Sequence, residues 1–301
     1  MMNKIANTAT REPIIYVGGE FVPQSQAKIS VLDHAVLYGD GVFETALAWN
    51  GRIFKLEEHI DRMERSLAAI NCKSPVGRDE LRKTLIESVR INKLENAYIK
   101  WIVTRGSNGR PLMDPAGCVP NLIIITLPYI DRYADANMDR GIRMKTVAVR
   151  RPSGQVLDPR IKSLNYLNLV LAKIEAKATG ADDALMLNLE GRICEATGNN
   201  VFLVHGRKLS TPAQDILFGI TRETVIELAK ARGYDVVVGE LELYDAYCAD
   251  EIILCSTAGG LAAVTELDGR TIGGGRPGAV FRTLSEAYLE LIASDRYGTA
   301  V

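Results

Sequence analysis

DPRIKSLNYLNLVLAK, residues Asp158–Lys173, sets one lysine, Lys162, ahead of an apolar run in which Leu164, Leu167, Leu171 and Ile174 recur at helical spacing. Pro152 and Pro159 in the preceding loop forbid an earlier helical start. The pattern predicts a strand-to-helix junction with Lys162 at its mouth and a helix running to Gly180. A lysine half-buried at such a junction loses hydration, and its neutral amine can then attack a carbonyl to form a Schiff base. The plain alternative is a lysine whose head reaches water.

Outward from this stretch, the second half reads as strands (GIRMKTVAVR, DALMLN, RICEA, VFLV, EIILCST, LAAVTELDG) interleaved with helices RETVIELAKAR and PGAVFRTLSEAYLELIA. The first half reads as hairpin strands with two helices, Leu56–Ile70 and Asp79–Lys93. Between GVFETALAW and RIFKL, Asn50-Gly51 is a type I′ hairpin signal. The polar segment DRYADANMDRG, 131–141, is the natural boundary. The expected fold is therefore α/β, of the α+β type, in two domains with mixed sheets in each. A tail over 1–12, a small domain over 13–130, the linker over 131–141 and a large domain over 142–301 complete the division.

Charge is almost balanced, with 36 basic against 37 acidic residues, so no basic stripe points to nucleic acid. No apolar run approaches the roughly 18 residues of a membrane span, and the polar start MMNKIANTATREP lacks a signal core. Five cysteines form an odd set without C-x-x-C spacing, and three scattered histidines offer no metal pattern. A cytoplasmic protein without disulfides or a metal site is expected.

Two segments present backbone amides that suit a phosphate. Gly219-Ile220-Thr221 opens a helix, whose positive end and unpaired N–H groups favour an anion, with the Thr221 hydroxyl as a further donor. Ser256-Thr257-Ala258-Gly259 offers a second nest. Either could instead be an ordinary cap or turn.

The runs IKSLNYLNLVLAKIEA, ICEATGNNVFLV, FGITRETVIELA and ILCSTAGG, preceded by LYGDGVFETALAWNGRIFKLEEHIDRM, resemble the fold-type IV pyridoxal-phosphate enzymes, the class-IV aminotransferases. The likeness extends from Tyr16 to Gly269. It implies that Lys162 holds pyridoxal 5'-phosphate and shuttles the substrate Cα proton. Glu195 matches the carboxylate that bonds the pyridine nitrogen, and Tyr166 matches the phenol that bonds O3′, four residues beyond Lys162 and so on one helical face with it. Arg62, off the apolar stripe of its helix, matches the phosphate-binding arginine, whose fork can meet two oxygens. Ile220, Thr221, Ser256 and Thr257 would complete the phosphate site.

The family's substrate positions fall on Tyr38, Phe43, Thr45, Tyr98 and Lys100, with Ala258 and Gly259 beside the substrate carboxylate. Strand alternation agrees: Phe43, Thr45 and Leu47 share one face, as do Tyr98, Lys100 and Ile102. The resemblance implies a homodimer and transamination between a hydrophobic, branched-chain-like amino acid and a keto acid acceptor. Lys100 stands where branched-chain enzymes usually carry arginine, and Ala258-Gly259-Gly260 is similar to R-selective amine transaminases. D-amino acid or R-amine transamination is thus one alternative. Arg105–Arg110 is similar to a loop of aminodeoxychorismate lyases, which makes pyruvate-releasing lysis another.

Overall fold

The computed structural model describes residues 12–129 and 140–301. The expected tail and linker lie almost wholly outside these residues. By contact the chain divides into two units, Met1–Ile130 with Asp295–Val301, and Asp131–Ser294.

The first unit carries strands β1 (Ile14–Val17), β2 (Glu20–Pro23), β3 (Gly41–Trp49), β4 (Arg52–Phe54), β5 (Ala97–Ser107) and β6 (Val119–Pro128). With Gly298–Ala300 they form a sheet in the order Gly298–Ala300, β4, β3, β5, β6, β1, β2. Every described pairing in it is antiparallel, three of them (β1–β2, β3–β4 and β5–β6) between strands consecutive in the chain; mixed pairing is confined to the second unit. Asn50 and Gly51 both take positive φ, 49° and 70°, as a type I′ turn requires. Helices α1 (His34–Tyr38), α2 (Leu56–Ala69) and α3 (Arg78–Ile91) complete the unit. Alternate β5 residues Ala97, Ile99, Trp101 and Val103 are buried, whereas Tyr98, Lys100 and Ile102 on the opposite face are half-buried.

The last seven residues depart from the expected division, which gave 142–301 to one domain. Gly298–Ala300 pairs antiparallel with β4, and Lys55 donates its backbone N–H to Tyr297 O at 2.9 Å. Arg52 Nε also meets Asp295 Oδ1 at 2.8 Å. These ladder bonds satisfy the edge of β4 and return the chain end to the first sheet.

The second unit contains β7 (Ile142–Thr146), β8 (Asp183–Leu187), β9 (Ile193–Ala196), β10 (Asn200–His205), β11 (Lys208–Pro212), β12 (Asp235–Gly239), β13 (Glu251–Ser256), β14 (Gly260–Leu267) and β15 (Arg270–Thr271). Its order is β12, β11, β10, β13, β14, β7, β8, β9, with β15 on β14. The pairings β11–β12, β14–β7 and β7–β8 are parallel and the others antiparallel. A further rung, Asn200 opposite Glu195, joins β9 back to β10, so six strands close into a ring. Inside it pack Ile142, Met144, Leu185, Ile193, Val201, Leu254 and Val264.

Helices of this unit include α4 (Gly154–Leu157), α5 (Leu167–Ala178), α6 (Ile220–Ala231), α7 (Leu243–Tyr247) and α8 (Ala279–Ala293). α5 corrects the sequence reading twice. It begins at Leu167, so Lys162 precedes it and does not share a helical face with Tyr166, its N-cap. Local bonds hold the segment out of helix: Ser163 N to Ile161 O at 2.8 Å, Tyr166 N to Leu164 O at 2.9 Å, and Asn165 N to Ser163 Oγ at 3.4 Å. The buried face is also the less apolar one. Leu169, Ala172 and Ala176 pack on Val147, Ala184 and Met186, while Leu167, Val170, Leu171 and Ile174 face outward.

Candidate active site

The rung that closes the ring also carries a buried carboxylate. Glu195 is 6% exposed. Its Oε1 meets Arg151 Nη2 at 2.7 Å, and its Oε2 accepts from Asn200 Nδ2 at 3.1 Å and from Leu217 N at 3.2 Å. Burial pushes the Glu195 carboxyl above its ordinary pKa; the cations of Arg151, Lys162 and Arg222 and the Leu217 amide pull the other way and do not prevail. Arg151 is itself buried, and its Nε has no hydrogen-bond partner among the described residues. Lys162 is half-buried, and its charge acts on Glu195, which puts both in one neighbourhood.

Asn200 extends this neighbourhood to the start of α6. Its Nδ2 also donates to Leu217 O at 2.9 Å, and its Oδ1 would lie 2.1 Å from a Cβ at Gly219, so only glycine fits there. Gly219 is the α6 N-cap and supplies no side-chain bond. The first helical bond is Glu223 N to Gly219 O at 3.0 Å, so the N–H groups of Ile220, Thr221 and Arg222 lie outside the helical ladder. Arg222 anchors this turn through Nε to Thr211 Oγ1 at 3.2 Å and Nη2 to Pro212 O at 3.0 Å.

Across the sheet Asn200 pairs with Cys255, the residue before Ser256. Thr257, Ala258 and Gly259 form the turn from β13 to β14, tied by Gly259 N to Ser256 Oγ at 3.2 Å. Gly260, which follows, takes φ +56°. Sheet rungs through Asn200 therefore link Glu195 to the strand that leads into this turn, and the Asn200 side chain ties in the segment before α6. Tyr166 packs against the cluster of Val147, Leu169 and Met186.

The remaining candidates lie in the first unit. The register sets Thr45 opposite Lys100 and Leu47 opposite Tyr98, and Lys100 Nζ stands 4.4 Å from the Phe43 ring centroid. Phe43, Thr45, Tyr98 and Lys100 thus share a sheet face. Tyr38 ends α1, its ring edge-on to His34 at 5.1 Å.

Arg62, although off the apolar stripe of α2, is 5% exposed. Its Nε and Nη2 reach Glu44 Oε1 and Oε2 at 2.7 and 2.9 Å, and His59 Nδ1 lies 2.7 Å from Glu44 Oε2. Burial alone would raise the Glu44 pKa, yet the Arg62 and His59 charges and hydrogen bonds outweigh it and hold the value at about 2, below the ordinary 4.5. The stability this cluster contributes is complete above the unfolded value and drains as pH falls from 4.5 toward 2. Acid titration of the wild type against Glu44→Gln should show that loss only in the wild type; identical acid limbs would refute it.

The sequence reading missed Arg151, Asn200, Arg222 and Glu44. Each acts through a neighbour, and a single arginine, asparagine or glutamate in a strand or loop carries no spacing that marks such a role.

A carboxylate whose burial outweighs the cations around it, beside a lysine and an uncapped helix start, fits a phosphorylated pyridine cofactor. The amino-transferase class IV family pattern matches residues 41–267. The chain belongs to this family. Class IV aminotransferases use pyridoxal 5'-phosphate, which is thus the cofactor of this enzyme. A Methanocaldococcus jannaschii protein provisionally named a branched-chain-amino-acid aminotransferase is 43% identical over 92% of this aminotransferase and 96% of its own length. The Pseudomonas aeruginosa branched-chain-amino-acid aminotransferase is 35% identical, covering 95% and 94%. Among solved structures, the T.th. branched-chain amino acid aminotransferase with pyridoxamine 5'-phosphate superposes with a TM-score of 0.92 at 32% identity, covering 96% of this chain and 99% of that one. Fold class and two-domain architecture are shared with it. Among the described residues, no helix is long and apolar enough to cross a membrane.

Proposed function

We propose that this aminotransferase moves the amino group of an L-branched-chain or similar hydrophobic amino acid to a keto acid such as 2-oxoglutarate. The observation that carries the transaminase reading is Glu195, a buried carboxylate whose proton affinity stays raised in spite of its ion pair with Arg151. Glu195 would bond the cofactor's pyridine nitrogen and, once ionised, keep that nitrogen protonated. When bound, the cofactor's ring draws electrons from the substrate Cα and so acidifies its C–H bond. Lys162 Nζ anchors the cofactor and then takes and returns the Cα proton. Tyr166 would donate its phenol to the cofactor's O3′, and the α6 amides of Ile220 and Thr221 would hold the phosphate, with Ser256 and Thr257 as further ligands, whereas the Arg62 fork expected there is taken by Glu44.

Substrate selection falls to the Phe43, Thr45, Tyr98 and Lys100 face with Tyr38, and to the Ala258-Gly259 turn for the carboxylate. The aromatic and aliphatic character of this set suits a branched side chain, and the names of the relatives agree. Half-reactions with L-leucine, D-alanine and R-phenylethylamine, followed by the cofactor's visible absorbance, test the assignment. L-Leucine should convert fastest and release its keto acid. Conversion by D-alanine or the R-amine with L-leucine inert would overturn it.

The active form is a homodimer in this reading. Leu167, Val170, Leu171 and Ile174 of α5 are 71, 50, 47 and 59% exposed, a contiguous apolar stripe suited to a second copy. Leu171→Glu with Ile174→Glu should halve the mass seen by light scattering. A wild-type monomer, or an unchanged double variant, would count against it. A reducing, cytoplasmic setting suits the five free cysteines.

A further inference from the structure

In the first unit a thiol, an imidazole and a carboxylate stand in series. Cys118 Sγ lies 3.5 Å from His34 Nε2, and His34 Nδ1 lies 3.4 Å from Asp40 Oδ2. The carboxylate favours the tautomer with its proton on Nδ1, which leaves Nε2 to accept from the thiol. His34 is fully buried, whereas Cys118 is partly exposed, so Cys118 is the more accessible end of the series. Arg105 adds a positive charge that acts on both Cys118 and Cys72. That guanidinium is fixed by Asp40 through Nε at 2.7 Å and Nη2 at 3.0 Å, and by the Asn71 and Ile70 carbonyls at 2.9 and 2.8 Å. The facing groups are thus two cations or proton acceptors, one carboxylate and a second thiol. Cys72 is buried, and burial pushes its pKa up, so it is the inert member.

We infer that Cys118 is a reactive thiol and a site of covalent modification by hydrogen peroxide, with His34 as its proton acceptor. The thiol proton passes to His34 Nε2, and the sulfur attacks one peroxide oxygen. The O–O bond breaks, and the departing hydroxide takes the proton from the imidazolium to leave as water. Sulfur is oxidised by two electrons to the sulfenic acid while the peroxide is reduced by two. The His34 ring also touches Tyr38, so an adduct on Cys118 would be felt at a residue assigned to the substrate. The tagging chemistry itself is independent of the transaminase reading.

The test treats the reduced holoenzyme with dilute hydrogen peroxide and dimedone and maps the tagged cysteines by mass spectrometry. Cys248, which is exposed, is the internal control for access alone. Cys118 should be tagged about tenfold faster than Cys248, and His34→Gln should erase that advantage. Tagging of Cys118 no faster than Cys248 overturns the assignment, as does an advantage that survives His34→Gln. If that variant fails to fold, the wild-type ranking decides.

Discussion

Lys162→Ala loses transamination by at least about 10⁴-fold and with it the cofactor's visible band, because the amine that acts on Glu195 and can carry the Cα proton is gone. The loss appears in kcat at saturating L-leucine, since the residues proposed to face the substrate are untouched. Borohydride reduction of the wild-type holoenzyme, followed by peptide mapping, should tag position 162 alone. Turnover within tenfold of wild type, or a tag on another lysine, would remove the residue from its role.

Glu195→Gln should cost about 10²–10³-fold in kcat, because a neutral amide cannot hold the pyridine nitrogen in its protonated form. The same residue governs how stability responds to pH. Its folded pKa is raised above the ordinary 4.5, so in the cofactor-free protein the contribution of the neutral acid is complete below 4.5 and is lost as pH rises through the raised value. A bound pyridinium reverses this by favouring the carboxylate. Melting temperatures should therefore diverge between cofactor-free and cofactor-loaded protein as pH rises, and the divergence should shrink in Glu195→Gln. Arg151→Met, which removes the cation 2.7 Å away, should move the acid limb of kcat to higher pH. Parallel melting curves, or an acid limb that Arg151→Met leaves in place, would contradict the electrostatic role given to this pair.

Much of this architecture follows from local patterns. The Asn50-Gly51 dipeptide can supply two positive φ angles, which fixes a hairpin, and α2 keeps Leu56, Ile60, Met63 and Leu67 on its buried side as their spacing requires. Lys162 and the Gly219-Ile220-Thr221 turn could be singled out locally, because a lysine after a proline-containing loop and a glycine before a helix each have a chemical reason, whereas Glu195 was singled out only through the family resemblance. The start of α5 was not legible. Helical periodicity through Leu164 outweighed in sequence what the Ser163 and Leu164 bonds decide in three dimensions.

By itself, the sequence determined several of the strands and the longer helices and which chemistry Lys162 could support, since these depend on backbone preference and side-chain type over a few neighbours. Only the tertiary structure decided that Glu195 is buried against Arg151, that Arg62 is held by Glu44, that the apolar stripe of α5 faces outward, and that Cys118 meets His34 from 84 positions away. Those outcomes depend on desolvation and on charges brought together by strand register, and neither is encoded within one turn of helix or one strand.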